Sequence, residues 1–162
     1  MALTGSYGVN STKTWTTDSA NGLPAKLKDI ASDKRGKWMF VLASAAIAQY
    51  AAVGIDGSGN AAELTTTTYA SSAAFGFAQV AIASGSYGWV WVGEGGGTGS
   101  GIKGKVAASY AAFAVINTTA TAGVVDDAAT KILGGVVGLT TDGGSGSSVE
   151  LMAAAVIHKV TA

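Results

Sequence analysis

The stretch from Phe75 to Gly95 constrains the fold more than any other part of the chain. Phe75-Gly76-Phe77-Ala78-Gln79-Val80-Ala81-Ile82-Ala83 and Trp89-Val90-Trp91-Val92-Gly93-Glu94-Gly95 are apolar runs of strand length, separated by Ser84-Gly85-Ser86-Tyr87-Gly88. Two such runs around a Gly/Ser turn read as a β-hairpin. Side chains alternate across a strand, so Tyr87, Trp89 and Trp91 share one face, and Gly88, Val90 and Val92 the other,. Neither face suits water. A strand apolar on both faces lies between two packed layers: one is the domain's own core, the other a second sheet, a cover or a neighbouring subunit.

The remaining segments repeat the theme. Residues 1–20 are Gly, Ser, Thr and Asn punctuated by Tyr7 and Trp15, the pattern of an extended arm that either reaches a neighbour through Trp15 or folds back on its own domain,. Leu23, Leu27 and Ile30 have helical spacing after Pro24, which predicts one short helix,. Lys26, Lys28, Asp29, Asp33, Lys34, Arg35 and Lys37 follow, seven of the twenty charged residues within twelve positions; such a run is a solvated face before it is a docking surface. Residues 38–42 and 49–55 read as strands, with Ala-rich 43–52 open to strand or helix and strand favoured,. Asp56-Gly57-Ser58-Gly59-Asn60 is a turn leading into residues 61–64,. After the central hairpin come a Gly-rich loop at 93–104 and apolar runs at 106–116, 132–139 and 149–160, divided by small-residue turns. Short apolar runs closed by Gly-rich turns predict an all-β domain, a β-sandwich or β-barrel. The expected division is an arm with its short helix and charged segment over 1–36, and a single β domain over 37–162.

Composition narrows the function classes. Charged residues make up 12% of 162, half the usual share, and ten basic groups balance ten acidic ones,. No overall field draws the chain to nucleic acid or to an anionic membrane, and scarce charge favours self-association. The absence of cysteine excludes disulfides, thiolate zinc sites and a cysteine nucleophile, and suits a reducing cytoplasm,. Residues 1–6 lack the basic start and apolar core of a signal peptide, so export by that route is not expected,. Residues 38–55 are eighteen positions without a charge, but a third of them are Ala, with Ser44, Gln49 and Gly54 among the rest; in a chain this poor in charge such length does not mark a membrane span,.

No constellation points to catalysis. Gly99-Ser100-Gly101-Ile102-Lys103-Gly104-Lys105-Val106 follows the phosphate-binding Gly-x-x-x-x-Gly-Lys pattern until Val106 replaces the magnesium-binding hydroxyl, and no alternating βα pattern surrounds it,. Asp56 opens like a calcium loop, but Ala61 and Thr67 stand where Gly and Glu are required,. Asp126 and Asp127 are adjacent and point apart on a strand. His158 is the single histidine, with no nucleophile motif to serve,. Tyr87, Trp89 and Trp91 offer flat rings for packing or an interface first, and for stacking on sugars second.

One family resemblance follows. The run Phe77 to Val92, the Gly-rich loop with Gly104-Lys105-Val106-Ala107-Ala108, Thr118-Thr119-Ala120-Thr121-Ala122-Gly123, Ile132 to Leu139 and Val149-Glu150-Leu151-Met152 together resemble the core of small head decoration (cement) proteins of tailed bacteriophages. The resemblance spans residues 74–160; residues 1–73 carry none of it. It implies a β domain on the outside of an icosahedral head, assembled in the host cytoplasm, often trimeric, clamping the major capsid protein, with neither catalytic residues nor cofactor. The expectation is a non-enzymatic virion protein whose self-association or capsid interface involves Trp15, Trp38, Tyr87, Trp89 and Trp91. A fibre-associated module binding host glycans through exposed aromatics is the alternative, and a P-loop-like nucleotide binder the second.

Overall fold

The computed structural model describes residues 9–16, 23, 25–128 and 130–160. Eleven strands occur among them: β1 (Ile30–Asp33), β2 (Gly36–Ala43), β3 (Ala52–Ile55), β4 (Asn60–Glu63), β5 (Ala74–Ala78), β6 (Tyr87–Gly96), β7 (Lys103–Lys105), β8 (Val115–Thr118), β9 (Val125–Asp126), β10 (Ile132–Gly138) and β11 (Ser148–Lys159). A single 3-10 turn at Thr68–Ala70 is their only helical element. The domain is all-β, as the alternation predicts.

Five strands close a barrel in the order β2-β4-β3-β5-β6 and back to β2. The β2–β4 pair is parallel and the other four are antiparallel. Five strands leave a narrow interior, and small or slender side chains fill it: Val41, Ala43, Val53, Ile55, Ala61, Ala78, Val90 and Val92, with Ile47 and Ile82 from the connecting loops,. Here the Ala-rich composition has its use. The opposite faces of β2, β5 and β6 carry Trp38, Phe40, Phe75, Phe77, Trp89 and Trp91, which pack beneath an outer layer supplying Ile102, Leu133, Val136, Leu151 and Ile157. Trp38 pairs with Trp91 and Phe40 with Trp89 across β2 and β6.

β6 belongs to both layers. Its first half lies in the barrel against β2 and β5, and its Gly-rich second half pairs with β11 through Gly93, Gly95 and Gly96. Glycine is required at this crossing: a Cβ on Gly93 would collide with the Ala155 carbonyl oxygen, and one on Gly95 with that of Arg35. From β11 the outer sheet continues to β10, β8 and β9, with β7 on the other flank.

The second layer demanded by the two-faced strand is therefore supplied by the same chain. Val80–Ala83 do not extend β5; they form a loop bridged to Ile47 through Ile82. Residues 44–51 are neither helix nor continuous strand. The short helix expected over 23–30 is not formed among the described residues, and Pro24 lies outside them. Ala25–Asp29 is a turn in which Lys28 adopts φ +68°, incompatible with α-helix, and gives its N–H to the Phe40 carbonyl,. Ile30–Asp33 then pairs with β2, Ala31 opposite Trp38, so a boundary between residues 36 and 37 would divide a hairpin. Trp15 exchanges two backbone hydrogen bonds with Tyr87, placing this part of the arm on its own domain; Tyr7 lies outside the described residues.

Candidate assembly surface

The Trp residues singled out in the sequence sit mainly inside. Trp38 and Trp91 are 0% exposed and Trp89 2%, so these three rings have no surface to offer a partner or a sugar. This corrects their assignment to an interface, and the cause is the outer layer that covers them. Their polar ends are also engaged: Trp38 Nε1 donates to Asp33 Oδ1 at 2.9 Å and Trp91 Nε1 to the Arg35 carbonyl at 3.0 Å. The β1–β2 turn thus caps two buried indoles. Burial raises the Asp33 carboxyl, but the Trp38 indole and the Arg35 guanidinium and N–H outweigh it and hold it below its ordinary value. Part of the charged run is thereby half-buried structure rather than solvated face. Trp15 and Tyr87 are half-buried against Phe40, at ring distances of 5.7 Å and 5.9 Å.

The other motifs resolve into structure. In the Gly99–Lys105 segment the Gly99 N–H, which a phosphate would need, donates to Glu150 Oε1 at 3.0 Å. Lys103 to Lys105 form β7 against β11, and no helix follows; a P-loop cradle is not built,. Asp56 closes the β3–β4 turn by accepting from the backbone N–H of Ser58 and Asn60 and from Asn60 Nδ2, bonds that hold its carboxyl below the usual range, with the Asn60 amide leading. Asp126 accepts the Asp127 N–H and Asp127 the Ala111 N–H, both turn roles. His158 is exposed on β11, with Nδ1 3.1 Å from the Val156 carbonyl. Among the described residues no three His, Asp or Glu side chains gather as metal ligands, and no helix is long and apolar enough to cross a membrane.

What remains is the outer face of the β8-β10-β11 sheet. β10 arches away from β8 between two pairings, Ile132 with Asn117 and Val137 with Val115, so four residues of β10 lie where β8 has one. The arch turns at Gly135, whose φ of +86° suits only glycine comfortably,. It opens a notch of about 470 Å³ lined by Val115, Ile132, Val136, Val137, Met152 and Ala154. Val115 is 52% exposed and Met152 45%. At one end, Ile132 leads to a second depression edged by Tyr69, Lys131, Lys159 and Val160. At the other stands Phe113, 68% exposed.

Phe113 is held there firmly. Its N–H donates to the Gly138 carbonyl at 2.8 Å. The buried Tyr110 hydroxyl donates to the Ala114 carbonyl at 2.8 Å and accepts the Gly138 N–H at 3.1 Å, and burial raises its pKa. Within this turn Phe113 adopts φ +59°, a region that bulky side chains avoid,. In the sequence, residues 106–116 read as one apolar run, which conceals this surface. The Gly134-Gly135 pair inside an apolar run is the signal that marks the bulge.

Compared with known proteins, the chain matches no protein family, no curated protein and no solved structure.

Proposed function

We propose that this chain is a structural protein of a virus particle, bound to the outside of an icosahedral bacteriophage head and reinforcing contacts between major capsid subunits. The observation that carries this reading is the apolar outer face, where Val115, Ile132 and Met152 on the sheet, with Phe113 and Val160 beside it, stand in water on a layer packed against a closed barrel. Exposed apolar surface of this kind marks a part of a larger assembly, in which copies joined through it clamp neighbouring subunits of the shell. The resemblance of residues 74–160 to head decoration proteins supplies the shell as the setting.

The physical mechanism is linkage. A protein that binds the assembled shell and not its free subunits stabilises the shell by mass action, about 2.7 kcal/mol per site at a free concentration a hundredfold above Kd. Repetition over a lattice adds avidity. The test is calorimetry of shells lacking the protein, titrated with it to saturation. The shell melting temperature is expected to rise with occupancy; an unchanged melting temperature at saturation overturns the proposal.

A further inference from the structure

We propose that the outer face is a self-association surface on which two copies of this chain each seat Phe113 in the apolar notch of the other. This rests on the reading above only in treating the face as an assembly surface; it does not depend on the identity of the shell.

Three features of the molecule point to a second copy. The first is the way Phe113 is presented. A position at φ +59° accepts Asn or Gly with far less strain than a benzyl side chain, yet an aromatic ring stands there, 68% exposed, on a turn fastened by the Tyr110 hydroxyl and the Gly138 carbonyl,. Within its own chain the ring is not in the core, so its strained conformation is not offset by burial. Aromatic anchors that fill a pocket of the partner carry much of the binding energy of an interface.

The second is the notch itself. Its roughly 470 Å³ exceeds the volume of a benzyl group, and its aliphatic lining from Val115, Ile132, Val137 and Met152 matches one chemically. The turn that carries the ring adjoins the notch: Phe113 is two residues from Val115 and bonds to Gly138, next to Val137. That arrangement suits a two-fold contact, in which the same patch on each copy both gives and receives.

The third is area and charge. Phe113, Val115, Ile132, Met152 and Val160 leave on the order of 400 Å² of apolar surface in water,. At the apolar share of roughly 60% found in such contacts, a patch centred on them covers about 700 Å² per copy, close to the roughly 800 Å² per partner of a standard interface. With ten basic and ten acidic groups, two copies meet without net repulsion,.

The test is sedimentation of the full chain, without shells, from micromolar to millimolar concentration. The wild type is expected to associate to a dimer, and Phe113→Asn to weaken association roughly tenfold or more. The melting temperature of Phe113→Asn at low concentration should stay level or rise by a few degrees, because Asn tolerates the left-handed backbone. Val115→Glu, which places a charge on the notch lining from the opposite side of the contact, should likewise give monomers. A wild type that remains monomeric at millimolar concentration overturns the inference, as does a Phe113→Asn protein that still dimerises or one that melts at markedly lower temperature. A monomeric wild type whose shell binding is lost in Phe113→Asn would assign the face to the shell, overturning the second copy as occupant while leaving the shell reading intact.

Discussion

Asp142 is the residue on which the most local order converges. Its carboxylate accepts backbone N–H groups from Ser109, Gly144, Gly146 and Ser147, and the hydroxyls of Ser145 and Ser147. The Ser147 hydroxyl leads the bonds that hold its carboxyl far below the ordinary value of 3.8. A carboxyl whose pKa falls on folding stabilises the native state above its unfolded value, and that contribution is lost as pH drops toward the folded value. Asp142→Asn presents an amide N–H₂ to donors, so it is expected to lower the melting temperature at neutral pH. It should also flatten the decline in stability below about pH 4, leaving the shares of Asp33 and Asp56; thermal melts from neutral to strongly acid pH measure both effects. The sequence marks residues 140–148 only as a Gly/Ser turn. Which carboxylate gathers the turn depends on backbone amides that turn inward one by one, and composition does not encode that direction.

At the scale of elements, β6 organises the rest, and its two-faced pattern is plain in the sequence. So are β2, the β3–β4 turn at Asp56 and the antiparallel pairing of β5 with β6. What the pattern leaves open is who covers the outer face: a subunit and a strand of the same chain bury Trp89 and Trp91 equally well, and the covering strand, β11, lies some sixty residues downstream. The helix expected over 23–30 fails for a related reason, since three apolar residues at helical spacing are outweighed by pairing of Ile30–Asp33 with β2,. Trp91→Ala removes a fully buried ring and strips the Arg35 carbonyl of its indole donor. The expected loss is about 3–5 kcal/mol in urea unfolding. Among the four tryptophans, acrylamide is expected to quench Trp15 first, and emission from the other three to stay blue-shifted in a monomeric sample.

For the molecule as a whole, the sharing of β6 ties barrel and outer sheet into one cooperative unit. Neither layer keeps its core if the other opens, because Trp89 and Trp91 lose their cover in one direction and Val90 and Val92 in the other. Unfolding followed by tryptophan emission and by far-ultraviolet circular dichroism is expected to give coincident transitions; a separate, earlier loss of the outer sheet would show that the layers are independent. Folding should be slow for this length, in milliseconds to seconds, since ring closure and the return of β11 to β6 join distant parts of the chain. The same strand predicts how the gene tolerates change. A saturation library scored for folded protein should show the usual every-other-position relief along β11, but an unbroken block of intolerance from Gly88 to Gly93, where no codon change finds a neutral side to turn toward.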